Sequence, residues 1–521
     1  MHKPVRLLHE ILENAVERHA QKIALFAEGN PFTYEEVWQA ALRLSNAFKE
    51  RGVRRGDRVA IYMDNTFPAV VSVFATLMTG GVFLMINPQT KPDKLRFILD
   101  DSEAVILLTD GHLADHFASV ANTNKRLKSV IASGDLSRLT QAEFHLEAFD
   151  QVLAEAHPEN EPASVIPNDL AALIYTSGST GFPKGVMMTH QNMVFATGSL
   201  CQYLRLTEDE RIMLMLPMAF DYGLYQLFMA FNMAATLIVE RSFIFPTLVY
   251  KRIRQFKATV FPGVPTIFAT LIAAHEKSGL TFPSVRKVTN TAAALPPEYL
   301  QPLKSIFPNA LIFKMYGLTE CKRVAYLEPE LLDKKPASVG KAIPGTEVFL
   351  RSPDGKPVPP GEAGILYVRG PHVMAGYWKN EAQTAQMLVP GPVPGERILC
   401  THDWFKTDED GFLYFVGRSD DIIKTRGEKV SPVEIENVLY RIKGVKEAAV
   451  VGVPDDLLGQ AIRAFVVTEN GLTEKEIKRV CAKHLENFMV PHRISFLPEL
   501  PKSPNGKIDK KILKEMAQNE S

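Results

Sequence analysis

Apolar positions along the first third of the chain alternate between two rhythms. At the N-terminus Leu7, Leu8, Ile11, Leu12, Ala15 and Val16 fall at helical spacing, and Glu10, Glu13 and Glu17 take the opposite face. Thr33 is placed to cap a second helix, with Glu36 as its capping-box partner. Arg58–Tyr62 and Val105–Thr109 read as short buried strands, and Phe67–Met78 as a mostly apolar helix. Apolar strands alternating with helices predict an α/β fold with largely parallel sheets. The stretch from Thr140 to Pro167 is acidic, holds three prolines and lacks periodicity, which predicts a surface connection. From 212 to 239 the chain is apolar but broken by Pro217, Asp221 and Gly223. A membrane span there would bury Asp221 in lipid, so a core strand and helix are expected.

The C-terminal part has a different rhythm. Strand-like Phe412–Val416 leads into Gly417-Arg-Ser-Asp-Asp421. Then come two further strands, Ala448–Val453 and Ala461–Val467, and a helix opened by a Thr473/Glu476 capping box. Ile477, Val480, Cys481 and Leu485 form its apolar face. This is an α+β unit. At 521 residues the chain is too long for one core, and a boundary near Asp420 divides it into 1–419 and 420–521.

Charge narrows the partners. Lys plus Arg (59) equals Asp plus Glu (59), so no overall field favours nucleic acid or an anionic membrane. Any anion site must be local. The four cysteines, Cys201, Cys321, Cys400 and Cys481, lack metal-ligand spacing and fit a reduced cytoplasmic protein. Nothing at the N-terminus reads as a signal peptide.

One local anion site stands out. Between the apolar runs 170–175 and 186–188 lies Thr176-Ser-Gly-Ser-Thr-Gly-Phe-Pro-Lys-Gly185. Gly178, Gly181 and Gly185 allow close backbone approach to a ligand. Successive N–H groups, with Thr176, Ser177, Ser179 and Thr180, can wrap phosphate oxygens, and Lys184 adds a positive charge. Pro183 before Lys184 and Gly185 after it exclude a Walker A loop; the plain alternative is a polar surface turn. Four further segments are chemically marked: Tyr316-Gly-Leu-Thr-Glu320, Thr401-His-Asp403, Asp420–Ser431 and Pro501–Lys507. Taken singly, each has an ordinary reading as a helix start, a turn aspartate, solvated loop charges or an exposed turn lysine.

In this order the five segments resemble the adenylate-forming ligases: acyl-CoA synthetases, luciferases and peptide-synthetase adenylation domains. The resemblance implies a large N-terminal domain of parallel-rich sheets flanked by helices, a β-barrel-like subdomain and a small mobile α+β lid. It implies that a carboxylate attacks the α-phosphate of ATP, expels pyrophosphate, and passes as a thioester to a thiol. Both reactants are anions, so positioning and electrostatic stabilisation should dominate.

The family pattern assigns the residues one by one. The 176–184 loop holds phosphates. Glu320 binds Mg²⁺ and Thr319 contacts phosphate, while Tyr316 walls the adenine. Asp403 takes the ribose hydroxyls, which a carboxylate can accept from together, and Arg418 joins it. Lys507 bridges carboxylate and α-phosphate, a task suited to a compact ammonium. Asp420 is the hinge and Gly427 lines the thiol tunnel. His402 and Ala292 replace glycines of the family, and Ala292 adds a methyl group near the acyl pocket. Phe220 and Asp221 are the substrate positions. Asp221 needs a partner, either a substrate ammonium or a protein cation or N–H. The thiol belongs to coenzyme A or to the phosphopantetheine of a carrier protein supplied in trans, loaded with a carboxylic or an amino acid respectively. A non-catalytic or oxygenase relative is disfavoured by the presence of Glu320 and Lys507.

Overall fold

The computed structural model describes residues 4–139, 142–157, 162–176, 183–419, 421–425, 428–455, 458–469, 471–503 and 506–519. Among them two large sheets carry the N-terminal part. In the eight-stranded sheet, Leu170–Thr176, Val82–Ile86, Arg58–Tyr62, Ile106–Asp110, Ser129–Ser133 and Leu146–Ala148 are neighbours running parallel. In the nine-stranded sheet, Leu311–Tyr316, Lys287–Asn290, Val260–Gly263, Arg211–Leu214, Thr236–Val239 and Ile23–Ala27 do the same, with antiparallel strands at both edges. Parallel strands covered on both faces need continuous apolar runs, and Val82–Ile86 and Thr236–Val239 are buried throughout.

The helix Phe67–Met78 starts at a Thr66 cap, and every residue from Ala69 to Met78 is buried. A helix apolar all round has no solvent face to offer. Phe74 stacks on Phe231 and meets Phe228 edge-on, both from the buried helix Asp221–Asn232. One continuous core therefore joins these helices to both sheets. The expected strand and helix within 212–239 are present as Arg211–Leu214 and Asp221–Asn232.

A five-stranded antiparallel sheet, built on the long strand Arg397–Thr407, follows. The C-terminal part is α+β, as expected. Val445–Asp455, Gly459–Thr468 and Arg493–Phe496 form a sheet, and the Thr473/Glu476 capping box opens the helix Glu474–His484. Asp420, the expected boundary, lies outside the described residues.

Two expectations need correction. The segment Thr140–Pro167 is not simply a connection: Leu146–Ala148 pairs with Ser129–Ser133, and the helix Phe149–Glu155 buries Phe149 and Val152. Its hydrophobic residues are too few to show a period, yet they land on the core. Glu10 is buried rather than solvent-facing. Its carboxylate accepts from the N–H groups of Arg6 (2.7 Å) and Leu7 (3.1 Å), satisfying donors at the helix start.

Candidate active site

The marked residues converge beyond the C-terminal ends of the parallel strands of the nine-stranded sheet, where open α/β sheets leave a crevice. Arg211–Leu214 leads to Phe220 and Asp221, Lys287–Asn290 to Ala292, and Leu311–Tyr316 to Thr319 and Glu320.

The phosphate-loop segment is the tip of a hairpin. Leu170–Thr176 pairs antiparallel with Lys184–Thr189, Thr176 lies opposite Lys184, and the Lys184 ammonium stands 5.6 Å from the centre of the Tyr377 ring. Ser177, Gly178, Ser179, Thr180 and Gly181 lie outside the described residues. Gly185 is also tightly packed. A Cβ there would lie 3.2 Å from the Tyr175 ring and 3.3 Å from Trp378 Cβ, so the glycine serves packing inside the sheet.

After Tyr316 the chain reverses sharply. A Cβ on Gly317 would sit 2.3 Å from Lys322 O, which only glycine avoids. Thr319 and Glu320 occupy this turn, half-buried, rather than starting a helix. The Tyr377 hydroxyl donates to Glu320 Oε1 at 2.7 Å, and Met374 N–H donates to Glu320 O at 2.8 Å.

Asp403 lies within a strand, not in a turn. Tyr367 pairs with Cys400 but Ile365 with Trp404, so the strand bulges between them. His402 absorbs the bulge at φ 56°, a conformation that glycine adopts without cost, and Asp403 turns inward. The Tyr316 hydroxyl donates to Asp403 Oδ2 (2.6 Å) and Arg418 Nε donates to Oδ1 (3.3 Å). Burial raises the Asp403 carboxyl above its ordinary value, outweighing the opposing pull of Arg418. The Tyr316 ring leans on Phe405 at 4.7 Å between centroids. Ala292 is exposed and sits at φ 75°, a left-handed conformation that strains a residue carrying a methyl group.

Asp221 begins its helix two residues before Gly223, where a Cβ would lie 2.3 Å from Pro217 O. Its partner is a protein cation that sequence reasoning did not identify. Lys322 Nζ lies 3.1 Å from Asp221 Oδ2 and donates to Asp221 O at 2.7 Å. The same ammonium sits 4.3 Å from the Tyr225 ring centre. Arg323 follows, buried, donating to Thr291 Oγ1 and lying 5.5 Å from the Tyr222 ring centre. Adjacent cations directly after the Glu320 turn were the available signal. Burial lowers the Lys322 amine to about 7, against the stabilising pull of Asp221. Burial works against the Asp221 carboxylate too, but Lys322, Arg323 and Lys507 together hold it below its usual range.

Lys507 reaches the same centre from the C-terminal unit. Thr266 Oγ1 donates to Gly506 O at 3.3 Å, Ser503 N–H donates to Lys507 O at 2.7 Å, and Lys507 is half-buried. Burial lowers its amine, and the charges it feels are those of Asp221, Arg418, Asp403 and Glu320. Five marked residues from both parts of the chain thus share one electrostatic environment. Asp420 and Gly427 lie outside the described residues.

The AMP-binding enzyme family model matches residues 12–378, and that of the AMP-binding enzyme C-terminal domain matches 434–507. The chain belongs to the AMP-binding enzyme family. Relatives of this AMP-binding enzyme include a long-chain-fatty-acid–CoA ligase of Bacillus subtilis (strain 168), 30% identical over 99% of this chain and 96% of its own. The phosphinothricin tripeptide synthetase of Streptomyces viridochromogenes is 32% identical, over 98% of this chain and 45% of its own. Among solved structures, an anthranilate CoA ligase in complex with anthranoyl-AMP superposes with a TM-score of 0.91 at 28% identity, covering 99% of this chain and 98% of that one. Among the described residues of this AMP-binding enzyme, no helix is long and apolar enough to cross a membrane.

Proposed function

We propose that this AMP-binding enzyme is an AMP-forming acyl-CoA ligase. The observation that carries the reading is Lys507, a C-terminal lysine held in the field of Asp221, Asp403 and Glu320 on the N-terminal part. In the first half-reaction a carboxylate oxygen bonds to the α-phosphorus of ATP. The α–β bridging bond breaks, and pyrophosphate leaves with the electron pair. Lys507 neutralises the two approaching anions, Lys184 meets the phosphates, and Asp403, steadied by Tyr316 and Arg418, accepts the ribose hydroxyls. In the second, the thiolate of coenzyme A attacks the acyl carbon, the C–O bond to AMP breaks, and the thiol proton passes to solvent.

Glu320 fits a Mg²⁺ that keeps most of its waters and takes one protein carboxylate. The Tyr377 hydroxyl donates to Oε1, and the Glu320 carboxylate, which has further acceptor capacity, would hold the ion. Bound there with ATP, Mg²⁺ would neutralise phosphate charge. Movement between half-reactions is assigned to a hinge at Asp420 that withdraws Lys507 and brings in Gly427.

A second reading, transfer of an amino acid to the phosphopantetheine thiol of a separate carrier protein, rests on the peptide-synthetase match. Asp221 does not require it, because Lys322 already supplies the cation.

The test supplies ATP, Mg²⁺ and an acid panel, follows ATP–pyrophosphate exchange, and then adds coenzyme A. Exchange followed by an acyl-CoA product is expected. Lys507→Ala should cut exchange about 100-fold or more while leaving thioester formation from supplied acyl-AMP largely intact. A fully active Lys507→Ala enzyme would refute the role given to the lysine.

A further inference from the structure

The helix Pro92–Ser102 ends against the usual rule. Asp100 and Asp101 lie in its last turn, Glu103 caps it, and no basic residue stands there, although that pole of a helix disfavours negative charge. Each acid is met from elsewhere in the chain. Asn124 Nδ2 donates to Asp100 Oδ1 at 3.0 Å, and Arg58, Arg126 and Lys379 pair with Glu103 at 3.1, 3.3 and 3.2 Å. Asp101 is met by residues that adjoin the nucleotide site. The Tyr175 hydroxyl donates to Asp101 Oδ2 at 2.6 Å. The Asp101 carbonyl, one of the acceptors that a helix end leaves unfilled, takes Trp378 Nε1 at 2.9 Å and Lys379 Nζ at 2.8 Å.

Tyr175 and Trp378 each stand one residue from a group that faces ATP. Tyr175 is paired with Gly185, and the next pair along the hairpin is Thr176 with Lys184. Trp378 N–H donates to Gly185 O at 2.8 Å, and Tyr377 pairs with Val186. The Tyr377 hydroxyl holds Glu320 at 2.7 Å, and its ring lies beside the Lys184 ammonium. The absence of a side chain at Gly185 lets the Tyr175 ring and Trp378 close on the same point. Burial, helped by the Asp101 carboxylate, keeps the Tyr175 phenol protonated, so it stays a donor. Asp101 thus grips the strand pair that presents Lys184 and also the segment that orients Glu320.

We propose that Asp101 is a positioning residue for nucleotide binding, which fixes the Lys184 ammonium and the Glu320 carboxylate relative to each other through Tyr175 and Trp378. This rests on the ligase reading above and adds to it a residue outside the five marked segments. Lys184 and Glu320 have opposite tasks, one toward phosphate and one toward its cation, so their spacing decides whether both can be engaged at once. The carboxylate of Asp101 acts on the strand side and its carbonyl on the Tyr377 side. Only the first is removed by a side-chain substitution, so the anchor can be weakened without being dismantled.

The experiment compares wild type with Asp101→Ala, Asp101→Asn and Tyr175→Phe. ATP binding is measured by calorimetry with Mg²⁺ and no acid, and KM for ATP and for the acid by pyrophosphate exchange. Asp101→Ala should weaken ATP binding and raise KM for ATP by about tenfold, the scale of one hydrogen bond to a charged group, while KM for the acid stays as in wild type. Asp101→Asn, whose amide oxygen still accepts from Tyr175, should recover most of the loss. Tyr175→Phe should match Asp101→Ala, and the double variant should be no worse than either single one, because both remove the same contact. Unchanged ATP binding in Asp101→Ala and Tyr175→Phe would overturn the proposal and leave the ligase reading standing. So would an equal fall in every step, including thioester formation from supplied acyl-AMP, which is the mark of a merely structural role. Wild-type enzyme that exchanges pyrophosphate with no acid would overturn the ligase reading, and the calorimetric comparison would still decide the role of Asp101. Tyr175→Phe, which removes a single oxygen, keeps the test open if Asp101→Ala fails to fold.

Discussion

The Asp221–Lys322 pair yields a pH-dependent stability prediction. Asp221→Asn removes the counter-charge from an ammonium that is 1% exposed, at a separation of 3.1 Å. Coulomb's law gives about 5 kcal/mol for that contact at an effective dielectric constant of about 20. The variant need not lose this much, because Lys322 can shed its proton, and its amine already lies at about 7 in the wild type. The folded pKa is below the ordinary lysine value. The wild-type native state therefore holds the Lys322 proton only below about pH 7, and the variant, whose amine falls further, releases it throughout the neutral range. Each pH unit below 7 then adds about 1.4 kcal/mol to the variant's deficit. Between pH 8 and pH 5 the extra loss is about 3 kcal/mol, on top of about 1 kcal/mol for the lost hydrogen bond at every pH. Urea midpoints of wild type and Asp221→Asn, measured in parallel at pH 5, 6 and 8, provide the assay. All other titrations common to both proteins cancel in the difference. Asp221→Asn/Lys322→Met should show no such slope. A deficit equal at pH 5 and pH 8 would mean that Lys322 does not titrate against Asp221, and the argument would fail.

Three further outcomes are expected. Ala292→Gly should raise stability by about 1 kcal/mol, seen as a higher thermal midpoint, because φ 75° strains an exposed alanine that buries nothing. Gly340→Ala should abolish soluble expression. Its Cβ would lie 1.7 Å from Tyr326 O, at a residue that bridges to Leu413 with φ 90°. Asp420→Pro should slow overall turnover while sparing pyrophosphate exchange, because a fixed φ hinders rotation at the proposed hinge; equal turnover to wild type in a coupled AMP-release assay would remove Asp420 from that role.

Much of the fold was legible because local and tertiary signals agreed. Phe67–Met78 is mostly apolar, so its extent and buried position were legible in the sequence, and the structure adds the Thr66 cap. The two strands flanking the phosphate loop and the capping boxes at Thr33/Glu36 and Thr473/Glu476 were marked in the same way, whereas the Thr189/Asn192 box emerged only with the structure. Lys322 and Arg323 were not legible as pocket residues. Two consecutive cations after a turn ordinarily point to water, and what sends these inward is the reversal at Gly317, a backbone event with no periodicity of its own. Glu10 misled for a related reason: its spacing put it on the polar face, while the orphan N–H groups of Arg6 and Leu7 drew it under the helix start. At His402 the sequence marked the departure from glycine, but the left-handed conformation that the side chain must tolerate is visible only in the bulged strand.

The distribution of cations gives the site a direction. Arg418 is engaged by Asp403, and Lys322 by Asp221. Lys184 stands at the mouth of the hairpin against an aromatic ring. Lys507 and Arg323 remain, each without an ion pair among the described residues, and both act on Asp221 from different parts of the chain. Lys507 comes from the C-terminal part and Arg323 from the N-terminal part, so the Asp221 carboxylate is held ionised by charge from both.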